Sequence, residues 1–82
     1  MHRWGTRFGS WVKRYGTGNL ARDVGVGLYG APLTPKAVIQ WVAGSRAPRP
    51  AHALRIVQLA GGRVSLDDIY RQRARTAPHP AP

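Results

Sequence analysis

The 82-residue chain has no cysteine, and thirteen Lys and Arg oppose three acidic residues, a formal charge of +10. That length holds one small domain with a thin core, burying about 60–65% of the surface its unfolded form exposes, and the lack of cysteine excludes a disulfide framework and a thiolate metal site and fits a reducing compartment. The charge points to a polyanionic partner, nucleic acid first and an anionic membrane surface second, while no apolar run approaches the roughly 20 residues that cross a bilayer.

Eleven of the thirteen cations are Arg, whose guanidinium can fork onto a phosphate or a guanine edge. A GC-rich genome would also favour Arg over Lys, but it does not explain the absence of Glu. The basic N-terminus has no apolar stretch behind it and does not read as a secretory signal. Met1 to Gly5 reads as a frayed arm, with His2 and Arg3 on it and Trp4 able to tuck against the domain. Thr6 to Tyr15 reads as a first helix, because Phe8, Trp11, Val12 and Tyr15 fall at i, i+3, i+4 and i+7 and form a core stripe. Gly16 stops it.

Thr17 to Gly25 reads as a short second helix capped by Thr17. Leu20, Ala21 and Val24 make its inner face, and Gly25 ends it. Val26 to Leu33 then reads as a connector of eight residues. Gly25-Val26-Gly27-Leu28-Tyr29-Gly30 matches the dinucleotide-binding G-x-G-x-x-G pattern. That motif works only between a strand and a helix of a parallel βαβ unit, which this chain is too short to build, so its glycines are assigned to turns.

The stretch Thr34 to Pro50 organises the chain. Thr34 is placed to accept hydrogen bonds from first-turn amides, Pro35 suits the first helical position, and Gly44 closes a helix of about ten residues. Val38, Trp41 and Val42 form its inner face, and Lys36, Ala37 and Gln40 fall on another. Ser45, Arg46 and Arg49 follow as donors suited to phosphate oxygens. A fourth helix runs from about Ala51 to Ala60, with Leu54, Val57 and also Ile56 and Leu59 as inward candidates, and Gly61-Gly62 end it. His52, near its start, reads as solvated or locally bonded. It has no second histidine or cysteine at ligand spacing, so neither a metal nor any other cofactor is expected. Ser65-Leu66-Asp67-Asp68 reads as a capping box opening a fifth helix to about Arg75. Leu66, Ile69 and Tyr70 form an apolar patch on that helix, a candidate either for a dimer surface or for the lid of the core. The expected organisation is therefore an arm at 1–5, an all-α domain at 6–75 built as a small bundle of about five short helices, and a disordered Pro-rich tail at 76–82.

Leu20-Ala21-Arg22-Asp23-Val24-Gly25, then Thr34-Pro35-Lys36-Ala37-Val38-Ile39-Gln40-Trp41, then Gly44-Ser45-Arg46-Ala47-Pro48, resembles the Cro/repressor-like (Xre-type) helix-turn-helix family. Leu54 to Gly62 followed by Val64-Ser65-Leu66 is similar to the family's later helices. The resemblance covers about residues 6–70. It implies a lambda-repressor-like fold whose third helix enters the major groove of double-stranded DNA. It also implies a bacterial or phage transcriptional regulator, a repressor acting as a homodimer on a palindromic operator in the cytoplasm, at the nucleoid. By the same resemblance, Thr34, Pro35, Lys36, Ala37 and Gln40 contact bases, Gln40 pairing with adenine and Lys36 reaching guanine. Thr17, Ser45, Arg46 and Arg49 would contact the DNA backbone. The eight-residue connector departs from the three or four residues usual between the two helices of the motif. Either the turn carries an insertion, or the second helix is longer or shifted.

Other function classes stay open. A basic RNA-binding protein would share the charge and the aromatics. An antitoxin-type or phage or plasmid autoregulatory interaction protein would share the DNA-binding surface. An enzyme is not expected, because Asp67-Asp68 face a helix start and no cysteine or histidine cluster accompanies them.

Overall fold

The computed structural model describes residues 4–76. Five helices and no strand occur among them: α1 (Arg7–Tyr15), α2 (Thr17–Tyr29), α3 (Pro35–Ala43), α4 (Pro50–Ala60) and α5 (Leu66–Thr76). The expectations for His2, Arg3 and the tail beyond Thr76 lie outside the described residues.

α1 begins where Thr6 Oγ1 accepts the Gly9 amide at 3.0 Å. Its stripe packs as the spacing requires. Phe8 and Val12 are fully buried, and Trp11 and Tyr15 lean half-buried against the core with Trp4. Gly16 closes α1 and also takes the cap position of α2. Thr17 is therefore already helical and is not the cap that the sequence suggested.

The second helix does not stop at Gly25. It runs four residues further, to Tyr29, and Gly30 closes it in the left-handed region at φ 75°, its amide bonding Val26 O at 3.1 Å. Val26 to Tyr29, read as connector, are helical, and the connection shrinks to the five residues Gly30 to Thr34. The cause is tertiary. The returning chain lies on α2 at Gly25, where a Cβ would stand 2.4 Å from both Ala31 O and Leu33 N. Leu33 N donates to Ala21 O at 3.1 Å. Gly25 is a point of close backbone approach inside a helix, and this contact offsets the ~1 kcal/mol that glycine costs there.

α3 has the expected limits, and Gly44 closes it. Its start differs in one respect. The Thr34 side chain makes no cap bond, and the Ala37 amide instead bonds the Thr34 carbonyl at 3.1 Å. Val38, Trp41 and Val42 are buried, as their spacing predicts. On α4 the inward residues are Ala53, Ile56 and Ala60. Leu54, expected inside, is 53% exposed, because it stands about 100° around the helix from Ala53. α5 opens on the expected capping box: Asp68 N donates to Ser65 Oγ at 3.1 Å and Ser65 N to Asp68 Oδ2 at 3.0 Å.

α2 packs against α1, α3 and α4, and α5 closes the bundle against α1, α3 and α4. The expected patch on α5 divides. Ile69 belongs to the core at 1% exposure, while Leu66 and Tyr70 remain exposed. Beside Ile69, buried Gln72 donates from Nε2 to Val42 O at 2.8 Å, tying α5 to the end of α3. α3 is thus held from behind by α2 and α5, and its other side is left outward.

Candidate functional site

The outward side of α3 starts with Thr34, Pro35 and Lys36, all exposed, and continues through half-buried Ala37 and Gln40. Gly44 then turns the chain back along the last helical turn. The Arg46 amide approaches Gln40 O at 3.4 Å and Ser45 Oγ donates to the same oxygen at 3.3 Å. Those bonds occupy a carbonyl that the helix end leaves without an internal donor. They also set the two arginines of the link, Arg46 and Arg49, beside the helix face.

The result is a shallow cleft of about 170 Å³ lined by Leu33, Ala37, Gln40, Trp41, Arg46, Ala47, Arg49 and His52. Four of the residues singled out from sequence meet here: Ala37, Gln40, Arg46 and Arg49. Thr34, Pro35, Lys36 and Ser45 lie on the adjoining helix start and link but do not line the cleft. Thr17 is not brought to it. It sits at the far end of α2, about 18 Å along the helix from Tyr29 at 1.5 Å per residue.

From sequence His52 is not assigned to this site, and Tyr29 is open between a DNA-backbone contact and a plain solvent loop. The Tyr29 hydroxyl and His52 Nε2 are hydrogen-bonded at 2.7 Å. The His52 ring meets Tyr29 edge-on and lies tilted against Trp41, with centroids 5.6 Å away in each case. His52 is therefore half-buried and bonded across 23 residues, not solvated or locally bonded. Burial first, and the Arg49 charge second, hold its pKa below the ordinary histidine value, favouring the neutral ring. This column joins the end of α2 to α3 and α4 at the edge of the cleft.

Comparison with protein-family models, curated proteins and solved structures finds no match.

The three acids are all engaged elsewhere. Asp23 accepts from Arg22 Nε at 3.0 Å and from the Tyr15 hydroxyl. Its pKa is lowered, first by the Tyr15 hydrogen bond and then by the one from Arg22, while the bond between Tyr15 and Asp23 raises the Tyr15 pKa. Asp67 pairs with Arg71 at 2.7 Å, and Asp68 caps α5 with Arg7 3.8 Å away. Among the described residues no carboxylate pairs with Lys36, Arg46 or Arg49, so the charge along α3 and its link is uncompensated there. The side chains along it are hydrogen-bond donors, one amide and a flat indole wall. Among the described residues no group of three or more His, Cys, Asp or Glu gathers as a metal would require.

Proposed function

We propose that this chain is a sequence-specific double-stranded DNA-binding regulator that reads its site through the outward side of α3. In this reading α2, the five-residue connection and α3 form a helix-turn-helix. Lys36 and Gln40 face base edges, and Arg46 and Arg49 clamp the flanking phosphates. Two copies bind a palindromic operator and repress by occlusion, and exposed Leu66 and Tyr70 supply the contact between them. Tyr29, at the end of α2, borders the same surface.

The observation that carries this reading is the joint placement of Gln40, Arg46 and Arg49 around one cleft on the uncompensated cationic side of a helix anchored from behind. A second observation supports it. The connector, eight residues on the sequence reading, is five, of which Gly30 and Thr34 are helix caps, close to the short turn such motifs use.

The test is selection of bound duplexes from a random pool with the full chain, repeated across salt concentrations. The expected result is an enriched palindromic motif whose affinity falls steeply with salt. No enriched motif, or tighter binding of structured RNA than of any duplex, would overturn the reading.

A further inference from the structure

A second cleft, of about 370 Å³, shares no lining residue with the first. It is formed by Arg7, Ser10, Trp11, Arg14, Tyr15 and Arg63. Five of these come from one side of α1, at helical spacing, and Arg63 reaches in from the turn between α4 and α5. The Trp11 and Tyr15 rings stand 5.1 Å apart at 46°, and the Tyr15 hydroxyl is tied to Asp23, which fixes the inner end of the aromatic wall. The same lining carries three arginines, Arg7 and Arg14 from α1 and Arg63 from the turn between α4 and α5. Asp68 offers Arg7 only a distant contact at 3.8 Å, with the arginine side chain 72% exposed, and among the described residues no carboxylate pairs with Arg14 or Arg63.

Three like charges around one concavity repel one another, and a dianion placed among them relieves that repulsion. Guanidinium forks match the oxygens of a phosphate, and a planar ring can stack on the indole or on a guanidinium plane. The volume lies at the low end of the range for small-ligand sites, roughly 300–1,000 Å³, and so suits one such unit. Duplex DNA does not fit this chemistry, because its bases are stacked and paired and present no free ring face.

We infer that this cleft binds a free nucleoside phosphate, the phosphate held by Arg14 and Arg63 with Arg7 and the base laid against Trp11. The site is independent of the α3 surface and stands whether or not that surface reads DNA.

The experiment titrates the full chain with adenosine monophosphate, following tryptophan fluorescence and, in parallel, calorimetry. Saturable quenching is expected. Arg14→Gln and Arg63→Gln should each weaken binding about tenfold, the loss of one charge-assisted contact. Arg14→Lys, which keeps the charge but loses the fork, should fall between these variants and the parent chain. Both positions are exposed, so the variants should keep the parent's helical circular dichroism. Trp11→Phe should remove the quenching yet still bind by calorimetry, and Gln40→Ala should bind as the parent does. Adenosine and inorganic phosphate, given separately, should each bind at least tenfold more weakly than the nucleotide. Equal binding of adenosine, equal binding of phosphate, absence of saturation, or binding confined to single-stranded oligonucleotides would each overturn the assignment. Nucleotide binding by a chain that enriches no duplex motif would leave this site standing and remove only the DNA reading.

Discussion

A methyl group added at Gly25 would press on the backbone of Ala31 to Leu33, which has nowhere to move without unfastening the connection from α2. Gly25→Ala should therefore destabilise by about 1–3 kcal/mol or more, the range of overpacked sites. Gly27, two residues on, makes a useful contrast. Its added methyl would meet the Arg55 side chain, at 2.6 Å from Nε. That group is flexible, and its Nε is buried there without a hydrogen-bond partner. Gly27→Ala should be neutral or stabilising, since the helix gains up to ~1 kcal/mol in propensity. Urea melts of the two variants beside the parent would show whether the midpoints move in these different directions. On the outward side of α3, the proposed reading gives side chains two separable roles. Gln40→Ala should relax preference at one base position, costing about 1–3 kcal/mol there. Arg46→Ala should weaken all duplexes about equally and lower the salt slope by roughly one. An unchanged preferred site in Gln40→Ala would remove Gln40 from the reading surface.

At the level of the element, caps and endings were legible only in part: the side-chain caps read at Thr17 and Thr34 do not form, whereas those at Thr6 and Ser65 lie within one turn. Ser65 and Asp68 make their reciprocal bonds within one turn, so their spacing alone announces α5. Ser65→Ala should cost about 1 kcal/mol, measurable as a fall in urea midpoint at unchanged slope. The α1 stripe and the inner side of α3 were likewise written in a 3.6-residue period. Gly25 was misread because a glycine that admits a neighbouring backbone and one that ends a helix look alike in a string of letters. The difference lies in Leu33, whose amide reaches Ala21. The link between Tyr29 and His52 spans 23 residues and follows no period. Leu54 and Ile69 show the same boundary from the other side. Apolar character marked both as candidates for burial or contact, but helix rotation decided that Leu54 faces out and Ile69 faces in.

For the molecule as a whole, net charge and the ionisation of a few partly shielded groups set the response to solution conditions. The His52 pKa lies below its ordinary value of 6.5, so the unfolded chain binds this proton more readily than the folded one does. Stability is fully present above about pH 6.5 and falls as pH drops towards the folded value. His52→Gln should flatten that part of the stability curve in thermal melts taken at a series of pH values. The lowered Asp23 pKa acts in the same direction further into acid, below its ordinary 3.8, where protonation releases Arg22 and Tyr15. The exposed ion pairs add little, since such pairs are worth about 0–1 kcal/mol. Added salt should raise the melting temperature modestly, because it screens the self-repulsion of a chain at +10, and on the proposed reading it should sharply reduce affinity for DNA.

The bond from Leu33 to Ala21, and the bare backbone of Gly25 beneath it, fasten the connection to the middle of α2. The start of α3 is therefore aligned by main-chain atoms, which side-chain changes on the outward side of α3 leave in place. Positions 36 and 40 contribute their side chains to the outside, and the apolar side chains that anchor α3 point the other way. On the proposed reading, instructions for folding and instructions for target choice thus occupy separate letters of the same nine-residue helix. Such a scaffold can be retargeted: randomising Lys36 and Gln40 alone should yield a library of folded proteins with different duplex preferences and closely matched melting temperatures.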